Sequence, residues 1–162
     1  MATIRRETVL DAPFETVWQA LQGPAVMIAV SAPLLRFRPV DPPVFPARWG
    51  AGDMLVAMRL FGVVPLGRQV ISPAFEASDG PRRVLRDRGH GAMVRRWDHS
   101  ITIAERADGR TGYVDEVIIE AGLLTPLVAL FAGLFYAHRQ RRWHALIRAG
   151  ALPVDATRNG PA

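Results

Sequence analysis

Residues 7–21 read ETVLDAPFETVWQAL and describe the entry of a strand into a helix. Over residues 3–10 polar and apolar side chains alternate, which is typical of a strand with one buried face. Asp11 is a suitable helix cap, and Pro13 suits the first turn of a helix. The apolar residues that follow recur at helical spacing: Phe14, Val17, Trp18 and Leu21. The sequence therefore predicts a strand that passes directly into a short amphipathic helix.

Beyond this first helix the spacing of apolar residues becomes strand-like. Gly23 and Pro24 end the helix, and a second short helix is predicted over residues 25–30. From residue 34 to residue 121, alternating segments are separated by turns rich in glycine, proline and aspartate. Six strands are predicted there: 34–39, 53–61, 66–77, 82–89, 94–106 and 111–121. Their short connections indicate an antiparallel meander.

The chain then continues into one long helix. Thr125 is predicted to cap this helix and Pro126 to occupy its first position. Gly150 and Pro153 are expected to stop it, so the helix should run to about residue 149. We therefore predict a single domain over residues 1–150 and a flexible tail over residues 151–162.

This element order and the entry motif resemble the START/Bet v1-like superfamily, also called SRPBCC or polyketide cyclase-like. The resemblance covers about residues 2–149 and is carried by Ala12 and Pro13 followed by Glu15, Val17, Trp18 and Leu21. It implies an α+β helix-grip fold: a curved antiparallel sheet of seven strands wrapped around a long carboxy-terminal helix, with two short helices after the first strand. Members bind hydrophobic ligands between sheet and helix, and some are cyclases, aromatases, hydroxylase components or chaperone activators. No motif selects one branch, and the chain resembles uncharacterised bacterial members.

Composition and charge argue against several classes of protein. The chain has no cysteine, and hence no disulfide, thiolate nucleophile or cysteine-bound zinc. Its formal charge is +5, but all 20 basic residues are arginines in scattered short groups, so no nucleic-acid partner is predicted. The four histidines lack metal-ligand spacing and no glycine-rich phosphate loop occurs, so neither a metal nor a cofactor is expected. The amino terminus lacks the apolar segment of a secretory signal, which favours a cytoplasmic location.

The long helix begins with an uncharged segment, residues 126–137, that is too short to span a membrane. At about 1.5 Å per residue it measures roughly 18 Å, against about 30 Å for a bilayer core. Helical geometry gives it one bulky face (Leu127, Phe131, Leu134, Phe135 and His138) and one small face (Ala129, Ala132 and Gly133). We predict that the bulky face borders a cavity. The alternatives are an ordinary core helix, or a protruding surface that forms a homodimer or lies against a membrane.

Alternation within two predicted strands places polar residues in such a cavity. In strand 94–106, His99 shares a face with Trp97 and Ile101, so its imidazole is predicted to point inward. In strand 111–121 the pattern leaves open whether Asp115 or Glu116 points inward. The predicted ligand-binding residues are Met54, Val56, Met58, Trp97, His99, Ile101, Val117, Ile119, Leu127, Phe131 and His138.

Two arginines interrupt otherwise apolar strands. Arg59 and Arg68 either extend to a strand edge or reach the cavity. In the second case a carboxylate-bearing ligand such as a fatty acid would be favoured.

Three functions are compatible with these patterns. The first is reversible binding of a small hydrophobic molecule, such as a lipid, an aromatic or a polyketide-like compound. The second is an enzyme of the cyclase, dehydratase or aromatase type, with His99 as acid or base aided by Tyr113 or Asp115. The third is a protein-interaction module that uses the long helix or the apolar segment 60–67.

Overall fold

The computed structural model describes residues 1–50, 52–77 and 80–153. In chain order its strands and helices are β1 (Ala2–Leu10), α1 (Phe14–Leu21), α2 (Pro24–Ser31), β2 (Leu35–Asp41), β3 (Met54–Leu60), β4 (Val64–Ile71), β5 (Pro73–Glu76), β6 (Arg82–Gly91), β7 (Arg96–Glu105), β8 (Thr111–Glu120) and α3 (Thr125–Arg148). A 3-10 turn (Gly122–Leu124) precedes α3. Most of the predicted flexible tail, from residue 154 onward, lies outside the described residues.

The strands form one antiparallel sheet in the order β1-β8-β7-β6-β4-β3-β2, with β5 pairing β6 beside β4. This confirms the predicted α+β helix-grip class, with eight strands where seven were predicted. The predicted strand 66–77 is divided at Ser72, because β4 pairs only with the last residues of β6 and β5 pairs with the earlier ones. Ser72 turns its N–H toward the β6 carboxylate Asp87, at 2.7 Å from Oδ1.

The small face of α3, not its bulky face, lies against the sheet. Ala129 and Ala132 are buried with Val117 and Ile119 of β8, and Arg6 of β1 donates to the Gly133 carbonyl at 2.9 Å. The bulky face is divided: Phe135 is buried in the same cluster as these alanines, whereas the leucines of the first half point away. Leu127 and Leu134 are 65% and 61% exposed. Of these two leucines, Leu127 lines a pocket described below, whereas Leu134 lines neither of the cavities described below.

One continuous stripe fastens α3 to the rest of the domain. It consists of Thr125, Ala129, Ala132, Tyr136, Arg139 and Trp143, all buried. Its members are three or four residues apart, so they share one helix face. They are small where the helix touches β1 and β8, and large farther along, where Trp143 packs with Leu10, Ile103 and Tyr113.

Thr125 does not act as the predicted helix cap. The residue at the cap position is Leu124, and Thr125 is already helical. Because the 3-10 turn comes first, the Thr125 hydroxyl bridges that turn: it donates to the Gly122 carbonyl at 2.8 Å and accepts the Ala121 N–H at 3.0 Å.

Candidate ligand-binding site

An inner cavity of about 80 Å³ lies between α3, α2 and the concave face of the sheet. Most of its wall is apolar, with Val26, Phe37, Val56, Met58, Ile71, Leu85, Trp97 and Ile101 among the lining residues. Six polar side chains also line it: Ser31, Gln69, Asp87, His99, Tyr136 and Arg139. A mainly apolar cavity with a few converging polar groups is the usual form of a small-molecule site.

His99 is held by the carboxylate of Asp115 on the neighbouring strand. His99 pairs with Val117 across β7 and β8, so Asp115 is its diagonal neighbour two residues along β8 on the same face, and His99 Nε2 is 2.9 Å from Asp115 Oδ1. The Tyr113 hydroxyl donates to the same oxygen at 3.3 Å, and Gln140 Nε2 donates to Oδ2 at 3.1 Å. Asp115 is therefore the inward acid that the sequence left undecided.

The imidazole of His99 is uncharged in this setting. Burial lowers the His99 pKa below its usual value, and the hydrogen bond that His99 donates to Asp115 opposes this effect only in part. Since a carboxylate can only accept, His99 Nε2 carries the proton and Nδ1 is a free acceptor. Because the pKa is lower in the folded chain than in the unfolded chain, His99 favours folding above about pH 6.5 and disfavours it as the pH falls below that value.

Arg139 is a buried cation without an ion-pair partner among the described residues. Its side chain comes from the buried stripe of α3 and is 6% exposed. Nε has no hydrogen-bond partner, and the guanidinium makes no ion pair within the described residues; it lies 5.3 Å from the ring centre of Tyr136. Burial by itself would lower the Arg139 pKa, but the fields of Tyr113 and Asp115 outweigh it and leave the pKa raised, so the group stays charged.

Asp87 brings a second carboxyl group to the cavity wall. Burial raises the pKa of Asp87 to about 7, against the opposing effects of the Ser72 N–H and of Arg139. Near neutral pH both the protonated and the ionised form of Asp87 are therefore populated. It can accept or donate a hydrogen bond toward a bound molecule.

Tyr136 and Trp97 close the cavity toward its outer side. Their rings are stacked at 6.2 Å, and Trp97 Nε1 donates to the Tyr136 hydroxyl at 3.1 Å. The hydroxyl proton of Tyr136 remains available for donation. The cavity thus combines a fixed cation, a fixed acceptor at His99 and a fixed donor at Tyr136.

An outer pocket of about 210 Å³ adjoins the inner cavity. Met58, Gln69 and Trp97 line both. The rest of the outer wall is almost wholly apolar: Leu35, Leu60, Leu66, Met93, Val94, Leu127, Val128 and Phe131, with Arg68 and Gly91. Met58 lies between the two cavities. Because its side chain is unbranched and flexible, it can move to connect them.

Exposed apolar residues surround the mouth of the outer pocket. We call this surface the apolar rim: Phe61, Val63 and Val64 of the β3–β4 hairpin, Met93 of the β6–β7 turn, and Leu123, Leu124, Leu127, Leu130 and Leu134 at the start of α3. By length and composition alone, the helical segment Gly122–Arg148 could cross a membrane. It has 27 residues, its most apolar part has a mean hydropathy of 1.2, and 28% of that part is buried. A core helix meets the same criteria, so this is weak support for a span.

Seven of the predicted ligand-binding residues line a cavity. Val56, His99 and Ile101 line the inner cavity, Met58 and Trp97 line both cavities, and Leu127 and Phe131 line the outer pocket. Tyr113, a predicted catalytic candidate, lies behind Asp115 and lines neither cavity.

The other four predicted ligand-binding residues lie elsewhere. Val117 and Ile119 are covered by the small face of α3, and Met54 packs in a separate cluster with Val56 and Ile71. His138 is turned toward α2, where Nε2 lies 3.0 Å from the Ala32 carbonyl oxygen.

The cation of the site is not one that the sequence singled out. The side chains of Arg59 and Arg68 are exposed, although Arg68 contributes to the outer wall. The cavity cation is Arg139, which the basic run HRQRR made look like one of several charges favoured at a helix end. Its spacing from Ala132, Tyr136 and Trp143 is the signal that could have placed it on the buried face. Asp87 was missed as well, although it shares a strand face with Leu85.

Within residues 1–50, 52–77 and 80–153, no group of three histidine or acidic side chains is arranged to hold a metal ion. The four histidines lie in four different surroundings. His144 Nε2 lies 2.9 Å from the Thr8 hydroxyl, His90 is exposed, and His99 and His138 bind the partners described above.

Comparisons with known proteins agree with the fold. A family model described as a domain of unknown function (DUF8410) matches residues 8–147. A search of curated proteins gave no significant match. Among solved structures, a protein from Chromobacterium violaceum matches with a TM-score of 0.58 and 23% identity, over 89% of this chain and 95% of that one.

Two further solved structures carry informative descriptions. A START superfamily protein from Mycobacterium smegmatis matches with a TM-score of 0.60 and 11% identity, over 91% of this chain and 97% of that one. An AHSA1 protein from Silicibacter pomeroyi matches with a TM-score of 0.59 and 14% identity, over 92% and 99% of the two chains. These similarities confirm the START/Bet v1-like fold, and at such identities they establish the fold alone.

Proposed function

The chain belongs to the DUF8410 family, a domain of unknown function, and we propose that it reversibly binds a small, mainly apolar molecule with an anionic end such as a carboxylate. The observation that carries this proposal is Arg139, a buried guanidinium that lines the inner cavity without an ion-pair partner. An unpaired buried charge is costly, and a carboxylate is the group that a guanidinium binds best, through two parallel hydrogen bonds.

Other polar groups in the inner cavity suit the same end of a ligand. The Ser31 hydroxyl also lacks a hydrogen-bond partner, and it lines the cavity together with Arg139. His99 Nδ1 can accept from a ligand hydroxyl, and the Tyr136 hydroxyl can donate. A polar end that enters this cavity therefore meets a cation, two donors and an acceptor.

The apolar part of the ligand fits the outer pocket. The inner cavity of about 80 Å³ has room for a carboxylate and a few carbon atoms. A longer chain has to pass Met58 into the outer pocket of about 210 Å³, whose wall is apolar. Each buried CH₂ group contributes about 0.8 kcal/mol to binding.

We expect Met58→Trp to weaken the binding of decanoate at least about tenfold, measured by calorimetric titration. The indole would fill the partition between the two cavities, and excluding about two CH₂ groups costs roughly 1.6 kcal/mol. Ala57→Trp is the matched control, since it places the same indole at the adjacent position on the opposite face of β3. Wild-type protein that neither binds decanoate nor shows a co-purified small molecule in native mass spectrometry would contradict the proposed function.

A second candidate function is acid/base catalysis, favoured by the His99–Asp115 pair. A buried carboxylate that orients the Nε2 proton of a neutral imidazole leaves Nδ1 as a base toward the cavity. Asp87, with its pKa raised to about 7, would supply a proton donor in the same cavity. Among the activities that the family resemblance implies, such an acid and base would serve a cyclase or a dehydratase.

The catalytic role predicts a particular pH behaviour. We expect the His99 ring to remain neutral when the pH is lowered to 6.5, because burial lowers its pKa, so a base-dependent rate would persist to that pH. Histidine ring resonances in NMR report the charge, and His99→Asn assigns the resonance. If His99→Asn leaves turnover of a bound substrate unchanged, His99 is not the base; loss of turnover with retained binding would favour the enzyme.

A further inference from the structure

The apolar rim brings together nine exposed apolar side chains on segments that flank the outer pocket. Leu123 is fully exposed and Phe61 is 58% exposed, whereas large side chains of this type are usually buried. Strands β3 and β4 of the hairpin, the β6–β7 turn and α3 all contribute walls to the outer pocket, and Met93 and Leu127 of the rim line it directly. Exposed apolar surfaces of this kind mark contacts with a partner or a membrane.

The segments that build this end of the molecule carry only positive charge. No acidic residue occurs in residues 16–40, 54–75, 88–97 or 121–150. Arg36 and Arg59 lie directly opposite each other on β2 and β3, beside the hairpin. Both are exposed, as is Arg95 next to Met93 and Val94, and none of the three forms an ion pair within the described residues. Like charges facing each other across strands are unfavourable unless an outside anion balances them.

The hairpin tip itself is held in a strained form. Phe61 has a φ of 50°, a conformation that bulky side chains rarely adopt. The adjacent Gly62 lets the Arg36 side chain pass close by: a Cβ at Gly62 would lie 2.9 Å from Arg36 Cδ. The tip therefore presents an aromatic ring beside a cation, the combination found in segments that insert into the interface of an anionic membrane.

We propose that the apolar rim docks the protein on an anionic lipid surface, with the mouth of the outer pocket facing the acyl chains. The apolar side chains of the rim enter the boundary between headgroups and acyl chains, while Arg36, Arg59 and Arg95 contact lipid phosphates. The proposal does not depend on the identity of the bound ligand.

A second copy of the chain fits the rim less well. A symmetric dimer brings the same patch of both copies together. Arg36 and Arg59 of one copy would then approach the same arginines of the other, with no carboxylate in the adjoining segments to separate them. Burying such like charges costs free energy, whereas a layer of lipid phosphates neutralises them.

The test is flotation of the full chain with vesicles of phosphatidylcholine alone and of phosphatidylcholine mixed with phosphatidylglycerol. We expect the protein to float with the mixed vesicles and much less with the neutral ones. Arg36→Glu/Arg59→Glu should reduce binding to the mixed vesicles at least about tenfold. Each arginine near an anionic surface strengthens the attraction to it, and each glutamate in its place is repelled. Leu127→Asp/Leu130→Asp should abolish it, since both residues are exposed and lie on the rim.

Two controls separate the rim from general effects. Val44→Asp changes an exposed apolar residue at the opposite end of the β2–β3 hairpin, and Arg82→Glu/Arg110→Glu makes the same charge change at the far end of the sheet. Both should float as the wild type does, and circular dichroism should show all variants folded. Equal flotation with neutral and mixed vesicles, or none with either, overturns the proposal. A wild-type dimer that Leu127→Asp/Leu130→Asp converts to a monomer, with no vesicle binding, also overturns it and assigns the rim to a second copy.

Discussion

Replacing Asp115 with leucine is expected to lower the free energy of unfolding by about 3–5 kcal/mol. Three donors converge on this carboxylate: His99 Nε2, the Tyr113 hydroxyl and Gln140 Nε2. Leucine accepts no hydrogen bond, so all three donors lose their acceptor inside the core, and its larger side chain also has to fit at a buried position. Arg139 also loses one of the anions whose field keeps it charged, which leaves a buried cation with less compensation.

Urea denaturation followed by circular dichroism measures this loss. For a chain of 162 residues it corresponds to a fall in Tm of roughly 10 °C. The control is Glu116→Leu, one position along β8 but on the outer face. Among the described residues, the ion pair of Glu116 is with the exposed Arg5, at 3.5 Å, and pairs of this kind contribute at most about 1 kcal/mol. Equal losses in the two variants would show that Asp115 does not organise the core.

The fold could be predicted from the sequence because its signals are local. Alternation followed by Pro13 and helical spacing marks the passage from β1 into α1, and turn residues mark the strand ends. The same alternation placed His99 on the inner face of β7. The division at Ser72 escaped prediction, because β4 and β5 are divided by their pairing with β6. That pairing joins residues far apart in the sequence.

The candidate site could be predicted only in part because its polar contacts join distant elements. His99 was found, but its pairing with Asp115 depends on the register between β7 and β8. Whether the Arg139 side chain reaches the cavity depends on how α3 is rotated about its axis. Helical spacing gives the two faces of α3, whereas the close approach of β1 decides which face is buried. The bulky residues of α3 suggested its inner face, yet its leucines are exposed. The alanines are buried against β8 instead.

Arg139 and Asp115 have different tasks, although they lie in one buried network. Asp115 accepts three hydrogen bonds from other residues of the protein, so its removal should lower the stability of the fold. Arg139 makes no ion pair within the described residues and lies over the rings of Phe135 and Tyr136, so its removal should act mainly on the binding of an anionic ligand. This contrast separates a residue that holds the core together from one that is held ready for an incoming group.

Arg139→Met is therefore expected to weaken the binding of decanoate about 100-fold while leaving the chain folded. Methionine follows a similar path through the core and removes only the charge and the donors. Hydrogen bonds to a charged group contribute roughly 1.5–3 kcal/mol, which corresponds to a factor of about 10 to 150 in affinity. Arg141→Met is the control, because Arg141 lies two residues farther along α3 and is exposed.

The methyl ester of decanoate makes this test specific for charge. The ester has the same chain but no anionic oxygen pair, so wild-type protein should bind it about as weakly as Arg139→Met binds the acid. In Arg139→Met the acid and the ester should bind alike, and Arg139→Lys should fall in between, since an ammonium keeps the charge but lacks the planar pair of donors. If wild type binds acid and ester equally while Met58→Trp weakens both, the cavity binds an apolar molecule but Arg139 does not select its anionic end.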